Sequence, residues 1–226
     1  MMIEELLKFS YHRQLTHVPS ALSMLTYVDT LFRCNYVKPY RDKIVLGKPF
    51  GSQAYYVVWR DLRYLDNLDN LSMGVKHNEI DFVDYSEETM GNALGVASGI
   101  AIANPDQMVW VNLTDATLQM GSTLEAIQYI GHNNLKNIVM TVDYNNYQVT
   151  GNTSEVLSVA PVIDFLSNNK WDVIQCNGHC ETSIRDCFPR TRDLPTAVIY
   201  KTVKGLGVNY MEEDPIKWHY RPMEAL

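Results

Sequence analysis

Apolar residues recur along this chain in two rhythms, and the change from one to the other divides it. Over residues 1–35 they return at spacings of three and four, with Ile3, Leu6 and Leu7 followed by Leu22, Leu25, Val28 and Leu31. That rhythm predicts two helices. The pair Pro19-Ser20 separates them, with Ser20 as N-cap and Thr26 to Phe32 as the body of the second helix. Residues 36–52, punctuated by Pro39, Gly47, Pro49 and Gly51, read as loop. Further helices are predicted over Ser52 to Leu65 and over Glu87 to Ala103, the latter full of Gly and Ala.

From Met108 onward short apolar runs alternate with helical stretches. Strands are predicted at Met108 to Leu113, Asn137 to Val142, Trp171 to Gln175 and Ala197 to Thr202. Helices are predicted between and beside them at Ser122 to His132, Val156 to Ser167 and Glu181 to Phe188. Apolar strands that alternate with helices indicate an α/β fold, a doubly wound parallel sheet flanked by helices on both faces. With no internal repeat or low-complexity linker, residues 1–226 read as one domain, and the polar, aromatic stretch 205–226 as a tail wrapping its surface.

Composition narrows the classes of function. A formal net charge of -7, without a cluster of Lys and Arg, excludes the basic face that nucleic acid requires. No apolar run approaches the ~20 residues that span a bilayer. The start, Met1-Met-Ile-Glu-Glu, lacks the charged and apolar regions of a signal peptide. Cys34, Cys176, Cys180 and Cys187 form no CxxC pair, and Cys176 falls in a strand predicted to be buried. Reduced thiols and a cytoplasmic location are expected.

In an open parallel sheet, ligands bind beyond the carboxyl ends of the strands. Polar residues gather there at Thr114-Asp115-Ala116, at Asp143-Tyr-Asn-Asn146 and at Lys201-Thr-Val-Lys-Gly205. Asp115 and Asn145 end adjacent predicted strands. A carboxylate, an amide oxygen and a backbone carbonyl suit a hard divalent cation such as Mg²⁺ or Ca²⁺, which completes its shell with phosphate oxygens. The helix after Ala116 points its N-terminus to the same place, which favours an anion. Taken singly, Asp115 and Asn145 read as turn or cap residues; spacing and strand context together favour the ligand reading.

At this point a family resemblance emerges. Asn112-Leu-Thr-Asp-Ala-Thr-Leu-Gln-Met-Gly-Ser-Thr-Leu-Glu-Ala126, together with Asn137-Ile-Val-Met-Thr-Val-Asp-Tyr-Asn-Asn-Tyr-Gln-Val-Thr-Gly151, resembles the thiamine-diphosphate motif of transketolases. Further segments agree in order. Thr16-His-Val-Pro-Ser-Ala-Leu-Ser23 resembles the early GHxGxSLS segment, and Thr89 to Ala103 the GSLGQGLSxAxGxAxA helix. Lys201 to Val208 resembles KTxKGxGV, and Lys217-Trp-His219 the closing WH. The likeness implies thiamine diphosphate as cofactor, with Mg²⁺ or Ca²⁺ held by Asp115, Asn145 and the Tyr147 carbonyl. It places Thr114 and the Ala116 N–H at the diphosphate, and the backbone of Met90 and Gly91 at the aminopyrimidine ring. His17 would face the donor sugar, and His219 would lie between diphosphate and substrate; these two are the candidate catalytic residues. His12, His77, His132 and His179 read as surface or structural.

The chain also departs from the family pattern. Gly-Asp-Gly has become Thr114-Asp115-Ala116, although glycine lets backbone approach phosphate closely. The acidic pair after that motif is replaced by Thr117 and Met120, while Glu125 remains. The family loop Ser-x-Gly-His, whose His meets the diphosphate, reads Gly47-Lys-Pro-Phe50, so Lys48 is a candidate replacement. Full transketolases continue into a pyrimidine-binding domain that carries the cofactor-activating Glu. The resemblance therefore implies the N-terminal subunit of a split transketolase, working with a separate pyrimidine-domain and C-terminal chain as a homodimer or heterotetramer. It would transfer a two-carbon ketol unit between sugar phosphates. The lost glycines and His keep open an alternative, a non-catalytic paralogue serving assembly or regulation.

Overall fold

The structure is a computed structural model that describes residues 2–76, 78–188 and 193–224. Helix α1 (Met2–His12) and helix α2 (Val18–Arg33) precede strand β1 (Lys43–Leu46), helix α3 (Gln53–Asp61) and strand β2 (Tyr85–Ser86). Helix α4 (Ala93–Ala103) leads to β3 (Val109–Thr114), a 3-10 turn at Asp115–Gln119, α5 (Gly121–His132) and β4 (Ile138–Tyr144). A hairpin of β5 (Tyr147–Gln148) and β6 (Gly151–Asn152) follows, then α6 (Thr153–Val156) and α7 (Ala160–Asn168). The chain finishes through β7 (Asp172–Asn177), α8 (Glu181–Arg185), β8 (Thr196–Lys201) and α9 (Asn209–Glu213).

Six strands form one parallel sheet in the order β2-β1-β3-β4-β8-β7. Successive side chains on a strand point to opposite faces, and the central strands use this fully. Ile44, Leu46, Trp110, Val139, Val198 and Tyr200 pack with α1, α2 and α3 around Trp59 and Tyr27. Val45, Val109, Val111, Leu113, Met140, Val142 and Ile199 pack on the other face with α4 and α5. The doubly wound α/β sheet expected from the sequence is therefore present, with apolar residues sealing both faces.

Several boundaries move, each for a local reason. Helix α2 starts at Val18, so Ser20 lies inside the first turn and His17 occupies the N-cap. Pro19 suits that first turn because its missing N–H would have no helical partner. Strand β1 lies inside the stretch read as loop, where Lys43-Ile-Val-Leu46 is enough to pair with both β2 and β3. The helix expected from Glu87 begins only at Ala93, after a turn in which Gly91 takes φ 121°. The helix expected over Val156 to Ser167 is broken, because Pro161 has no N–H to give the Leu157 carbonyl; the Gln119 Nε2 donates to that carbonyl instead, at 2.7 Å. Cys176 is half-buried on an edge strand rather than buried, and all four cysteines are free thiols. Among the described residues no helix is long and apolar enough to cross a membrane.

The sheet order fixes where a ligand can enter. Strand β1 is flanked by β2 and β3, and the chain runs from β1 outward to β2 and then crosses back to β3 on its other side. This reversal opens a crevice at the carboxyl ends of the strands. The segments that follow β1, β3, β4 and β8 meet there.

Candidate functional site

The deepest layer of the crevice is a buried ion pair. Gly47 ends β1 so close to β3 that a Cβ would lie 2.4 Å from Leu113 Cδ2 and 2.6 Å from Ala93 Cβ. That approach carries the next residue, Lys48, into the interior, where its ammonium pairs with Asp143 at the end of β4. The Asp143 carboxylate also accepts Ser23 Oγ at 2.7 Å, Thr202 Oγ1 at 2.5 Å and Asn145 Nδ2 at 2.7 Å. Burial pushes this carboxyl up, but Lys48 and the hydroxyls of Thr202 and Ser23 outweigh it and hold the group below the usual aspartate range. Lys48, the candidate replacement for the family His at the diphosphate, is thus already engaged by Asp143.

Above this pair sits Asp115, fully buried at the end of β3. Its Oδ1 accepts the Ala116 N–H at 2.8 Å and Thr114 Oγ1 at 3.0 Å; its Oδ2 accepts the Asn146 N–H at 2.6 Å. Asn145 Oδ1 accepts the Tyr147 N–H at 3.0 Å, which closes the turn between β4 and β5. Asp115, Asn145 and Tyr147 therefore share one hydrogen-bonded turn. Burial first, then the charge of Asp143, pushes the Asp115 carboxyl up to about 6. A raised folded-state value means its contribution to stability is complete below the unfolded pKa of about 3.9 and is lost as pH rises further. The loss is completed as pH passes through about 6. A divalent cation needs the ionised form, so metal-induced thermal stabilisation should be larger at pH 7.5 than at pH 5. Differential scanning fluorimetry with Mg²⁺ and thiamine diphosphate checks this; equal shifts at the two pH values would rule out Asp115 as the carboxylate involved.

The rim carries two histidines and an ammonium. His17 is 3 % exposed and adopts a left-handed conformation, φ 60°, that side chains other than glycine seldom take. It is held there because its N–H donates to the His219 carbonyl at 3.1 Å and its ring stacks on Phe50 at 4.8 Å. The His219 ring stands edge-on to it at 4.9 Å, and Tyr220 packs against both. Lys204, 2 % exposed, donates to His219 Nδ1 at 2.8 Å and to the Tyr147 carbonyl at 3.4 Å. Burial, then Lys204 and Lys48, lowers His17 to about 4; burial, then Lys204, His17 and Lys48, lowers His219 to about 3. Both imidazoles are neutral at pH 7, and Lys204 fixes the His219 proton on Nε2. Burial and Lys48 lower Lys204 itself to about 8, so it keeps its charge near neutrality.

Met90 and Gly91 complete the crevice from the far side. Thr117 Oγ1 reaches Met90 Sδ at 3.6 Å, and the Gly91 carbonyl accepts Ser122 Oγ at 2.8 Å. Glu87 closes this turn by accepting the N–H groups of Gly91, Asn92 and Ala93, so α4 starts on an internal carboxylate. Of the residues singled out in the sequence, His17, Thr114, Asp115, Ala116, Asn145, Tyr147 and His219 are thus linked by hydrogen bonds and ring contacts through Lys204 and the turn at Asn146, and Met90 and Gly91 contact the Thr117 and Ser122 hydroxyls beside them. Sequence reasoning missed Asp143, Ser23, Thr202, Lys204 and Glu87 as members of this site. Asp143, Thr202 and Lys204 carried a signal as polar residues at the strand ends, and Ser23 as the last residue of the Thr16 to Ser23 segment; Glu87 carried none. His12 and His132 are exposed at helix ends, and His179 accepts the Val203 N–H at 2.7 Å; His77 lies outside the described residues.

A metal and a diphosphate fit these residues for distinct reasons. Among the described residues no group of three or more His, Cys, Asp or Glu side chains could hold a metal. A cation here would rest on one carboxylate, one amide oxygen, one carbonyl and oxygens of its ligand, a hard-cation set. An anion would find Lys204, a buried ammonium whose polar contacts among the described residues are a carbonyl and a neutral imidazole.

Comparison with known proteins gives the family. Residues 88–224, more than half of the chain, match the family "Transketolase, thiamine diphosphate binding domain". The chain is 26 % identical to transketolase of Mus musculus over 202 residues, covering 82 % of this chain but 32 % of that protein. It is 28 % identical over 239 residues to one of the subunits of apulose-4-phosphate transketolase from Phocaeicola vulgatus, covering 96 % of this chain and 85 % of that one. Solved structures of transketolase from Campylobacter jejuni (TM-score 0.69, 21 % identity, 97 % of this chain and 35 % of that one) and Leishmania mexicana (TM-score 0.71, 18 % identity, 91 % and 36 %) share the fold. The chain thus spans about a third of the length of the mouse enzyme and most of the length of the Phocaeicola protein. It belongs to the transketolase family, as its thiamine-diphosphate-binding N-terminal domain.

Proposed function

We propose that this chain is the diphosphate-side subunit of a split transketolase that uses Mg²⁺ or Ca²⁺ and works with a separate pyrimidine-domain chain. The observation that carries the reading is that one buried carboxylate, Asp115, and one buried ammonium, Lys204, each hydrogen-bond to the same turn, Asp115 at the Asn146 N–H and Lys204 at the Tyr147 carbonyl. Among the described residues that ammonium meets no carboxylate. Asp115, Asn145 and the Tyr147 carbonyl would hold the cation. Lys204 and the Ala116 N–H would meet the diphosphate, and Met90 and Gly91 would border the ring. Thiamine diphosphate supplies, when bound, the carbanion chemistry by which a two-carbon ketol unit moves between sugar phosphates. His17 and His219, kept neutral by burial, would present uncharged donors and acceptors to the sugar. The likeness to the Phocaeicola protein, itself one of the subunits of a transketolase, supports the separate partner chain, in a homodimer or heterotetramer.

A second reading, a non-catalytic paralogue, is favoured by Phe50, which fills the place of a diphosphate-binding His and stacks on His17. One titration separates the two. Calorimetry of thiamine diphosphate into the chain with its partner should show binding in Mg²⁺ that disappears in EDTA. Equal affinity with and without metal would overturn the metal assignment; no binding under either condition would favour the paralogue.

A further inference from the structure

Asn145 can face a cation with its oxygen or with its amide NH₂, and only the oxygen is a ligand. The two ends have almost the same shape, so hydrogen bonds must choose between them. In this chain the choice is made by Asp143. Its Oδ2 accepts Asn145 Nδ2 at 2.7 Å, and a carboxylate accepts but cannot donate. The amide is thereby pinned with Oδ1 toward the Tyr147 N–H, in the same turn that Asp115 Oδ2 grips through the Asn146 N–H.

Asp143 is fit for this task because its environment fixes its own state. Lys48 neutralises it, while Ser23 from α2 and Thr202 from the end of β8 hold its two oxygens from opposite sides. Three segments far apart in sequence therefore converge on one fully buried carboxylate. Lys48 also keeps Asp143 from acting as a second metal-binding charge beside Asp115, since its ammonium shares the oxygen that Asn145 uses.

We propose that Asp143, clamped by Lys48, Ser23 and Thr202, is the positioning residue that orients the Asn145 amide with its oxygen toward the Asp115 turn. The functional side of this inference rests on Asn145 being a metal ligand, as proposed above; the orienting role itself does not.

Two charge-neutral pairs of substitutions in the full chain test it. Lys48→Met with Asp143→Asn removes both charges but keeps an oxygen that can accept from Asn145. Lys48→Met with Asp143→Ala removes the charges and the acceptor. Hydrogen exchange of the ¹⁵N-labelled Asn145 side-chain amide, assigned by its absence in Asn145→Ala, is read first in metal-free protein. Slow exchange is expected in the wild type and the asparagine pair, and fast exchange in the alanine pair. Mn²⁺ with thiamine diphosphate, followed by electron paramagnetic resonance, should then bind the asparagine pair within about threefold of wild type and the alanine pair at least tenfold more weakly, the low end of the ~10–100-fold seen when a ligand's supporting contacts are lost. If the alanine pair fails to fold, Lys48→Met with Asp143→Leu fills the volume without an acceptor. Equal amide exchange in the two folded pairs would overturn the orienting role. Exchange that differs while Mn²⁺ affinity does not would overturn its link to the metal. Failure of the wild type to bind Mn²⁺ would sink the metal reading instead, and the amide readout would still decide the role of Asp143.

Discussion

Asp115→Ala should weaken metal-dependent binding of thiamine diphosphate by about 100-fold or more, while leaving the fold in place. Supporting residues of a metal site typically contribute ~10–100-fold each, and a ligand carboxylate should exceed that range. Asp115 is the one carboxylate at the turn not already neutralised, because Lys48 engages Asp143. Its removal takes away the negative charge that offsets the cation and leaves the Asn146 and Ala116 N–H groups without their acceptor. Those N–H groups can turn to water or phosphate, so the cost to folding should be smaller than the cost to binding. Calorimetric titration in Mg²⁺ with the partner chain reads the effect directly. A change of less than about threefold would place the cation elsewhere.

Lys48→Met alone should lower the stability of the chain by about 3–5 kcal/mol, the usual consequence of leaving one charge of a buried pair without its partner. For a chain of this size that corresponds to a fall in Tm of roughly 6–20 °C. Asp143 cannot escape by turning to solvent, since it is fully buried and bonded by Ser23 and Thr202 from two other segments and by its neighbour Asn145. Adding Asp143→Asn removes the orphaned charge and should recover most of the loss, because well-packed neutral replacements of buried pairs are often nearly neutral in stability. Urea unfolding of the single and double variants decides the matter. If both are equally destabilised, packing of the lysine stem rather than the charge is what the site requires.

These two effects differ in how far they could be read from sequence. Asp115 and Asn145 were legible because each ends a long apolar strand, and the order of strands sets them side by side. The sheet was legible for the same reason: β3, β4 and β8 are continuous apolar runs whose residues alternate between two buried faces. The pairing of Lys48 with Asp143 was not, since it spans 95 residues and neither residue's local sequence names the other. Strand β1 was hidden by the prolines and glycines around it, and its pairing comes from neighbours far along the chain. The late start of α4 was equally hidden, because it depends on Glu87 folding back onto the Gly91 turn. What local pattern reveals is the framework; what it conceals is every contact made by polar groups across it.

The bond from the His17 N–H to the His219 carbonyl joins residues 202 positions apart. A crevice closed by such a contact cannot form before residue 219 has been made, and contacts of this separation are among the slowest to be made in folding. The sheet can assemble first, with its cores on both faces, and leave the ligand-facing surface as the last part to become native. Segments that close last are also the first to open, so the stretch around His219 should exchange its amide hydrogens sooner than the central strands. A ligand bridging Lys204 and the Asp115 turn would select the closed form from this ensemble. Cofactor supply would then govern the lifetime of the finished molecule in the cell as well as its chemistry.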